Sequence, residues 1–394
     1  MHRLKNNKVE GALYTKALLD SIHYGATSPF IPIYGVELGA SPIEIGLLYA
    51  LTNFSLNFFQ LIWGYLSDKL RKHVMFIVLS GVLSSIVFII LLFTKSHSIF
   101  IFLVVLHSII GSMSIPTFIA YSSQVLDESR WRRFSENVNF LNYAGWITAT
   151  LTVGLSSHLG LNGFIIGFLI AAMSSILGTM IIWIYCRELE INYEDGRPSS
   201  LKSFKFSKSS KFLNFVLLSA GYGFCLSMAW PLFTITLTRV SAFTLLEISI
   251  LDVVYGLSAA LGLVLLRSYF SMLNISRILS LSSSLMALTP LVYAVAPQLP
   301  FLIAIHAFVG IFSAYYDAAS LTYILENTSV EERGFYSALY NLSVGSALLA
   351  GSLVAGYALE ILENLWTLFH ALAFLYLITA LGRLMIGLLY RKLC

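Results

Sequence analysis

The chain has 394 residues, of which 57% are apolar and only 11% are charged, whereas about 25% are charged in an ordinary soluble domain. The apolar residues fall in many runs of about 20 residues, the length that a membrane-spanning helix needs. This excludes a soluble enzyme, a nucleic-acid-binding protein and a disordered chain. The net charge of +4 and the three cysteines indicate neither a nucleic-acid partner nor a disulfide framework, because the basic residues flank the apolar runs.

Twelve membrane-spanning helices are predicted along the chain, joined by short connections except in the middle. They cover residues 11–36, 43–66, 74–94, 98–124, 134–158, 162–186, 212–238, 244–266, 275–296, 299–325, 334–359 and 365–389. The long connection at 187–211 is polar and contains glycine and proline. It separates a predicted N-terminal bundle of six helices, residues 1–186, from a C-terminal bundle, residues 212–394.

The basic residues lie almost entirely on one side of the predicted membrane. Of the 24 lysines and arginines, 20 fall in the two termini and in alternate loops, and only Lys95 and Arg239 fall on the opposite side. Lys16 and Arg383 lie near predicted helix ends, from which long side chains can snorkel to the membrane surface. Because cytoplasmic loops are rich in Lys and Arg, both termini and the long central loop are predicted to be cytoplasmic.

The two halves of the sequence resemble each other at an offset near 200 residues. His107 matches His306 at an offset of 199, and Glu44 matches Glu247 at 203. Matches at nearly one offset indicate two parallel copies of a six-helix unit. The predicted fold is therefore an all-α integral membrane protein with two pseudo-symmetric six-helix bundles, and such repeats place a substrate site between them near the midplane.

A motif between predicted helices 2 and 3 points to a family. Residues 64–73 read G-Y-L-S-D-K-L-R-K-H, which resembles the Gly-x-Leu-x-Asp-Arg-x-Gly-Arg-Arg pattern of the major facilitator superfamily. Arg71 stands where that pattern has glycine. The residues expected to form a conformational latch at this loop are Gly64, Asp68, Lys69, Arg71 and Lys72. The resemblance extends along nearly the whole chain and implies the twelve-helix fold of that superfamily.

Helix 1 adds a resemblance to the drug/proton antiporters of the tetracycline-exporter type. Asp20, Gly25, Pro29 and Pro32 have the spacing found there, and E-E-R-G at 331–334 fits the same group. Helix 5 of those antiporters carries a Gly-Pro-rich motif, whereas residues 145–154 keep small residues but no proline. The resemblance implies proton-coupled export of amphipathic organic compounds by alternating access.

The same resemblance implies the surroundings and partners of the protein. Short loops resemble those of prokaryotic members, so the cell membrane is expected. The expected partners are a small-molecule substrate, protons and the lipid bilayer, with no nucleic acid, and the protein is expected to be a monomer. The sequence contains no Walker-type phosphate loop, metal-site spacing or nucleophile motif, so we expect no cofactor, no metal and no enzymatic activity.

Two other functions stay open at this stage. One is a proton-coupled symporter for a sugar or an organic anion, which would use the same fold. The other is a membrane sensor that has kept the fold without transporting anything, although the longest loop, of about 25 residues, leaves little room for an output domain.

Five ionisable residues within the predicted spans are candidates for proton coupling: Asp20, Asp317, His107, His306 and Asp252. Charges inside a membrane are costly and mark ion pathways, and a carboxyl group that alternates between dry and wet surroundings can take up and release a proton. Asp20 leads, although an ion pair with Lys16 is a structural alternative. In the superfamily the helix 4 position of His107 often carries an arginine linked to proton coupling, and a neutral histidine that bridges two helices is the alternative.

Polar and aromatic residues in several predicted helices are expected to line the substrate cavity. Three amides of helix 2 share one helical face that is too polar for lipid. The aromatic residues suit flat or amphipathic solutes, although Trp and Tyr also anchor helix ends at the membrane surface. The cavity candidates are His23, Tyr24, Asn53, Asn57, Gln60, Asn142, Trp146, Tyr222, Trp230, Tyr316 and Asn341.

Overall fold

The computed structural model is helical and describes residues 2–187, 210–265, 267–270, 272–328 and 333–393. Most of the predicted linker, residues 188–209, and the first half of E-E-R-G lie outside the described residues. The structure contains a π-helical turn, Thr236–Val240, and a 3-10 turn, Tyr390–Leu393. The helices are α1 (His2–Thr27), α2 (Ile31–Glu37), α3 (Pro42–Leu70), α4 (His73–Leu91), α5 (His97–Gly111), α6 (Ser114–Val125), α7 (Glu128–His158), α8 (Gly163–Cys186), α9 (Ser210–Ile235), α10 (Leu245–Leu265), α11 (Arg267–Phe270), α12 (Ile275–Leu285), α13 (Leu288–Val295), α14 (Leu299–Glu326), α15 (Arg333–Glu363) and α16 (Leu368–Leu389).

Ten helical segments of the described residues are long and apolar enough to cross a membrane. Five of them coincide with α3, α4, α8, α10 and α14. The other five are His97–Val125, Lys211–Val240, Ile275–Val295, Tyr336–Glu363 and Leu368–Leu393. The two remaining predicted spans correspond to α1 and α7, which have 26 and 31 residues but carry charged residues along their length. This is the helix content of a multi-pass membrane protein.

The chain divides into two compact units. Unit 1 comprises Met1–Phe30 and Ser55–Ser207, and unit 2 comprises Ile31–Phe54 and Lys208–Cys394. In unit 1, α1 packs against α7 and α8, and α4 packs against α8. In unit 2, α9 packs against α15 and α16, and α12 packs against α16. The order of contacts in unit 2 thus repeats the order in unit 1.

The first predicted helix is interrupted at residues 28–30, between α1 and α2. Pro29 has no N–H to donate to the carbonyl of Gly25, four residues earlier. The hydroxyl of Thr150, on α7, donates to that carbonyl at 2.9 Å. A neighbouring helix therefore satisfies the backbone group that the proline leaves without a partner, as a helix inside a membrane requires.

Unit 2 contains the same device. Pro231 lies inside α9, and the carbonyl of Ser227, four residues earlier, accepts a hydrogen bond from the Ser352 hydroxyl of α15 at 3.2 Å. The two prolines, and likewise the two hydroxyl donors, are 202 residues apart. The internal repeat near 200 residues therefore extends to these hydrogen bonds.

The repeat also has a physical basis at two helix starts. At the start of α3, Ser41 N donates to Glu44 Oε2 at 2.9 Å, and Glu44 N donates to Ser41 Oγ at 3.3 Å. At the start of α10, Thr244 N donates to Glu247 Oε2 at 2.8 Å, and Glu247 N donates to Thr244 Oγ1 at 3.3 Å. Both are capping boxes, which satisfy backbone N–H groups that a helix start leaves free.

Thr150→Val is expected to destabilise the protein, because it leaves the buried Gly25 carbonyl without a donor while keeping the side-chain shape. An unsatisfied buried polar group costs about 1–3 kcal/mol. The matched control is Thr148→Val, since the exposed Thr148 hydroxyl donates only to Ala144 O within its own helix. Thermal unfolding in detergent should show a lower midpoint for Thr150→Val alone. Equal midpoints for the two variants would contradict this account of the Pro29 break.

Candidate functional site

An ion pair lies within α1. Lys16 Nζ lies 2.5 Å from both carboxylate oxygens of Asp20. Lys16 is 2% exposed, whereas the Asp20 side chain is 32% exposed. The lysine stem packs against Gly178 of α8, where a Cβ would lie 3.0 Å from Lys16 Cδ. The expectation that Lys16 snorkels to the membrane surface is therefore wrong, because its ammonium group turns along α1 to a carboxylate one turn away.

One turn further along α1, two histidines meet. His23 Nε2 lies 3.0 Å from Nε2 of His107, which is on α5. The other ring nitrogen of His23, Nδ1, lies 3.0 Å from Ala171 O and 2.8 Å from Ser175 Oγ, both on α8. Both imidazoles are buried, so the pair joins three helices inside unit 1. Sequence analysis placed His23 in the substrate cavity and His107 in proton coupling, but did not pair them.

The remaining unit 1 candidates lie where α1 meets its neighbours. The Tyr24 ring meets the His23 ring edge-on, with centroids 5.0 Å apart. Asn142 Oδ1, on α7, accepts a hydrogen bond from Ser21 Oγ at 3.1 Å. The Trp146 backbone packs so closely on α1 that a Cβ on Gly25 would lie 2.5 Å from Trp146 O. Asn142 and Trp146 are each partly exposed.

Three amide side chains, all partly exposed, lie along α3: Asn53, Asn57 and Gln60. Asn53 Nδ2 donates to Tyr49 O, one turn earlier, at 2.9 Å. Within unit 2, Tyr49 Oη also forms a 2.9 Å hydrogen bond with Thr234 Oγ1 of α9. The Trp230 ring, also on α9, lies 5.9 Å from the Tyr49 ring. Trp230 thus stands beside the first half of α3 and is partly exposed.

His306, on α14, is held by two neighbouring segments. Its Nδ1 lies 3.2 Å from Leu251 O of α10, and its Nε2 lies 3.0 Å from Tyr293 Oη of α13. Because a carbonyl only accepts, Nδ1 donates to Leu251 O, and in a neutral ring Nε2 would accept from the tyrosine hydroxyl. His306 therefore links α14 to α10 and α13, and its role in proton coupling stays a prediction.

Asp317 lies three turns beyond His306 on α14, and its residue is exposed. It takes part in no hydrogen bond or ion pair within the described parts of the chain. Between the two residues, Tyr255 of α10 donates its hydroxyl to Ser313 Oγ at 2.6 Å. Asp252, on α10 one turn before Tyr255, is partly exposed. The three proton-coupling candidates of unit 2, His306, Asp317 and Asp252, therefore lie on the adjacent helices α10 and α14.

Two of the aromatic candidates are buried inside unit 2. Tyr222 is 1% exposed and Tyr316 is 8% exposed, and their ring centroids lie 4.7 Å apart. Tyr222 Oη donates to Met286 Sδ at 3.1 Å, and Tyr316 Oη lies 2.9 Å from Tyr390 Oη. Asn341, on α15, is exposed.

Arg383 is the residue that sequence reasoning missed most clearly. It was expected to snorkel from a helix end, but it is 2% exposed in α16. Its Nη1 donates to Met286 O at 3.1 Å, Nη2 to Leu226 O at 3.1 Å, and Nε to Cys225 O at 3.4 Å. Met286 O is the carbonyl four residues before Pro290, so the arginine replaces the N–H that this proline lacks. Pro290, inside the predicted span 275–296, was the available signal.

The turn between α3 and α4 carries the latch candidates. Asp68 is 71% exposed, and its Oδ1 lies 3.8 Å from His73 Nε2. Arg71 has a φ of 55°, in the left-handed region that favours glycine. At the position where the superfamily pattern has glycine, Arg71 therefore has a backbone conformation that glycine adopts readily. The other candidates, Gly64, Lys69 and Lys72, lie at the end of α3 and in this turn.

Comparison with known sequences assigns the family. The sequence model of the Major Facilitator Superfamily matches residues 17–229 and again residues 215–393. These matches cover most of the chain, which therefore belongs to the Major Facilitator Superfamily and has the fold of a multi-pass membrane transporter. No curated protein sequence is significantly similar to the chain.

Solved structures share the fold at low sequence identity. The nucleoside transporter NupG has a TM-score of 0.78 and 15% identity, with 98% of each chain covered. A bacterial homologue of the human lysosomal transporter Spinster, in an inward-facing and unoccupied conformation, has a TM-score of 0.73 and 16% identity, with 99% of this chain and 96% of that chain covered. An auto-inhibited POT family peptide transporter has a TM-score of 0.72 and 12% identity, with 98% and 96% covered. These likenesses concern the fold alone.

Proposed function

We propose that this protein is a proton-coupled secondary transporter that exports amphipathic organic compounds by alternating access. The observation that carries the proposal is the row of ionisable groups along α1 in unit 1. Lys16, Asp20 and His23 follow one another at one-turn intervals, and His107 joins them from α5. Ionisable groups within a membrane span are expensive and usually serve ion or proton movement.

Asp20 is the proposed carrier of the coupling proton. Its carboxylate is partly exposed, while its partner Lys16 is buried. A proton on Asp20 would neutralise the carboxylate and release Lys16, so protonation would change the pairing of a buried charge. A cationic substrate that competes for the same carboxylate would be exchanged for the proton. Competition at this one carboxylate would then link substrate movement to proton movement in opposite directions.

The architecture proposed for this function has twelve spans in two pseudo-symmetric bundles, residues 1–186 and 212–394, joined by a linker at 187–211. The ten apolar helices account for ten spans, and α1 and α7 supply the other two. The excess of basic residues on one side favours cytoplasmic termini and a cytoplasmic linker. A monomer in the cell membrane is proposed, and the drug/proton antiporters remain the proposed subfamily.

The candidates proposed to contact substrate are those that are accessible. They are Asn57 and Gln60 in unit 1, and Asn53, Trp230 and Asn341 in unit 2, all partly or fully exposed. Amides and an indole offer hydrogen bonds and a flat apolar face, which suits amphipathic organic molecules. Tyr222 and Tyr316 are buried inside unit 2 and are left out of this set.

A symporter for a sugar or an organic anion is the second candidate. The solved structures that share the fold include a nucleoside transporter and a peptide transporter, and their polar substrates favour this reading. Inverted membrane vesicles with an imposed proton gradient, acidic inside, separate the two. Uptake of a lipophilic cationic dye that dissipates this gradient supports antiport. Loss of a preloaded sugar or organic anion together with protons, and no response to the dye, contradicts it.

Asp68→Asn tests the proposed latch. If Asp68 biases two conformations through its loop, the variant should slow transport several-fold while leaving the affinity for substrate largely unchanged, because the loop does not touch the substrate. Transport rate and substrate binding are measured separately on the purified protein. A variant that loses binding but keeps its turnover rate would place Asp68 at the substrate instead.

A further inference from the structure

We infer that His23 and His107 form a single proton-binding site, in which His107 takes up a proton at Nδ1 and His23 fixes the tautomer of His107. The inference rests on the proposed proton-coupled function but concerns a different residue from Asp20. It assigns His23 to the proton site, although the sequence suggested the substrate cavity. His107 would bind the proton, and His23 would be a positioning residue that orients His107.

The protonation pattern of the pair follows from its partners. Nδ1 of His23 lies 3.0 Å from the carbonyl oxygen of Ala171, and a carbonyl can only accept, so this nitrogen carries a hydrogen. Ser175 Oγ, 2.8 Å from the same nitrogen, accepts a share of that N–H. In a neutral His23 the other nitrogen, Nε2, is then a bare acceptor.

The consequence falls on His107. Its Nε2 lies 3.0 Å from the bare Nε2 of His23, so it must be the donor of the hydrogen bond between the rings. A neutral His107 that carries its hydrogen on Nε2 has a lone pair on Nδ1. In the described residues no hydrogen bond involves His107 Nδ1. The lone pair of His107 Nδ1 is therefore the vacant position of the pair.

Uptake at this position keeps the structure intact. When Nδ1 of His107 gains a proton, Nε2–H still donates to His23, and the bond becomes a stronger, charge-assisted one. While His107 keeps its hydrogen on Nε2, a proton placed on Nε2 of His23 would instead remove the acceptor and set two N–H groups against each other across 3.0 Å. For this tautomer of His107, the geometry directs the incoming proton to Nδ1 of His107.

The surroundings supply the charge balance. The ionisable groups that face the pair are Lys16, Asp20 and Tyr24, all on α1. From α4 the pair meets the ring of Phe88, whose centroid lies 4.8 Å from His23 and 4.7 Å from His107. Helix α8 contributes the Ala171 carbonyl and the Ser175 hydroxyl. Within the described parts of the chain, Asp20 is therefore the acidic group placed to offset an imidazolium here.

The equivalent histidine of unit 2 provides a contrast. His306 has both nitrogens engaged, because Nδ1 lies 3.2 Å from Leu251 O and Nε2 lies 3.0 Å from Tyr293 Oη. A proton taken up at Nε2 would reverse the second hydrogen bond, so that the tyrosine oxygen accepts and its hydroxyl hydrogen has to turn away. Of these two histidines, His107 is the one with a ring nitrogen that has no hydrogen-bond partner in the described residues, and the structure assigns proton uptake to it.

Nitrogen-15 NMR of the full-length protein, labelled at histidine and embedded in lipid bilayers, tests the inference. At alkaline pH we expect His23 to carry its hydrogen on Nδ1 and His107 on Nε2. At acidic pH, Nδ1 of His107 should gain a proton while His23 stays neutral. A coupling across the ring-to-ring hydrogen bond identifies the pair in the unsubstituted protein, and His107→Gln should remove it. His370→Gln, at an exposed helix start beside Thr367, is the matched control and should leave the pair unchanged.

The outcomes separate the inference from the proposed function. A proton on His23 at acidic pH, an Nδ1–H tautomer of His107 at alkaline pH, or an unchanged pair across the pH range in which transport responds would each overturn the inference. Proton-coupled transport with an unchanged pair would overturn the site and leave the function standing. Uptake of a proton by His107 in a protein that moves no protons with substrate would keep the site and reject the function.

Discussion

Asp20→Asn is expected to abolish uphill, gradient-driven transport while still permitting downhill exchange of substrate. Asparagine resembles the protonated carboxyl group but cannot release a proton. Alternating access could then continue, yet no proton would move with it. Uphill accumulation should fall by at least about tenfold, which corresponds to about 1.4 kcal/mol of lost driving force. Both modes are measured in proteoliposomes with the same labelled substrate.

The same substitution also has a structural effect, because Lys16 is buried and Asp20 accepts from it at 2.5 Å. Removing one partner of a fully buried ion pair costs about 3–5 kcal/mol, and we expect less here because the Asp20 side chain is 32% exposed. Asp20→Asn should therefore lower the unfolding temperature, and Lys16→Met in the same chain should restore it. The double variant separates the two effects: restored stability without uphill transport supports proton coupling at Asp20. Full uphill transport by well-folded Asp20→Asn protein would remove Asp20 from the mechanism and make Asp317 the next candidate.

Gly25→Val is expected to disrupt the packing of α1 on α7 strongly. A Cβ at this position would lie 2.5 Å from Trp146 O and 2.7 Å from Trp146 Cα, both backbone atoms of α7. Neither can move without displacing the helix, so α1 and α7 must separate. Overpacking of this kind costs about 1–3 kcal/mol or more, and separation would also break the Thr150 hydrogen bond to Gly25 O. Thermal unfolding and the yield of folded protein report the loss.

Gly11→Val is the matched control, since Gly11 lies on the same helix, is exposed, and has no atom within 4 Å of an added Cβ. The helix propensity of valine slightly exceeds that of glycine, so stability should be unchanged or slightly higher. If Gly25→Val folds as well as Gly11→Val, the close approach of α1 and α7 described above is incorrect.

The sequence predicted the regular features of this fold well. Hydropathy found the ten apolar helices, and the offset of 203 between Glu44 and Glu247 marked two helix starts that prove to be capping boxes. It also found Asp20 with Lys16 one turn before it, because contacts within a helix follow from spacing alone. The superfamily motif was recognised although Arg71 replaces its glycine.

Contacts between helices were less accessible from sequence. Nothing in the spacing of His23 and His107, 84 residues apart, shows that their rings meet, and the alternatives of cavity lining and bridging stayed open. Arg383 was misplaced for the same reason: hydropathy locates a charge along a span but not the carbonyls that receive it. The break at Pro29 shows the general cause, since its effect is completed by Thr150 on a helix far along the chain.

Proton coupling is tested by following proton movement and substrate movement in the same vesicles. The purified protein is reconstituted into proteoliposomes that contain a pH-sensitive dye, with the membrane potential clamped at zero. A lipophilic quaternary ammonium cation, which has no neutral form, is imposed as a gradient and should then move protons in the opposite direction. This proton flux should disappear in the Lys16→Met, Asp20→Asn double variant. Substrate movement at the same rate without any change of internal pH, or a proton flux that survives in the double variant, would contradict the account.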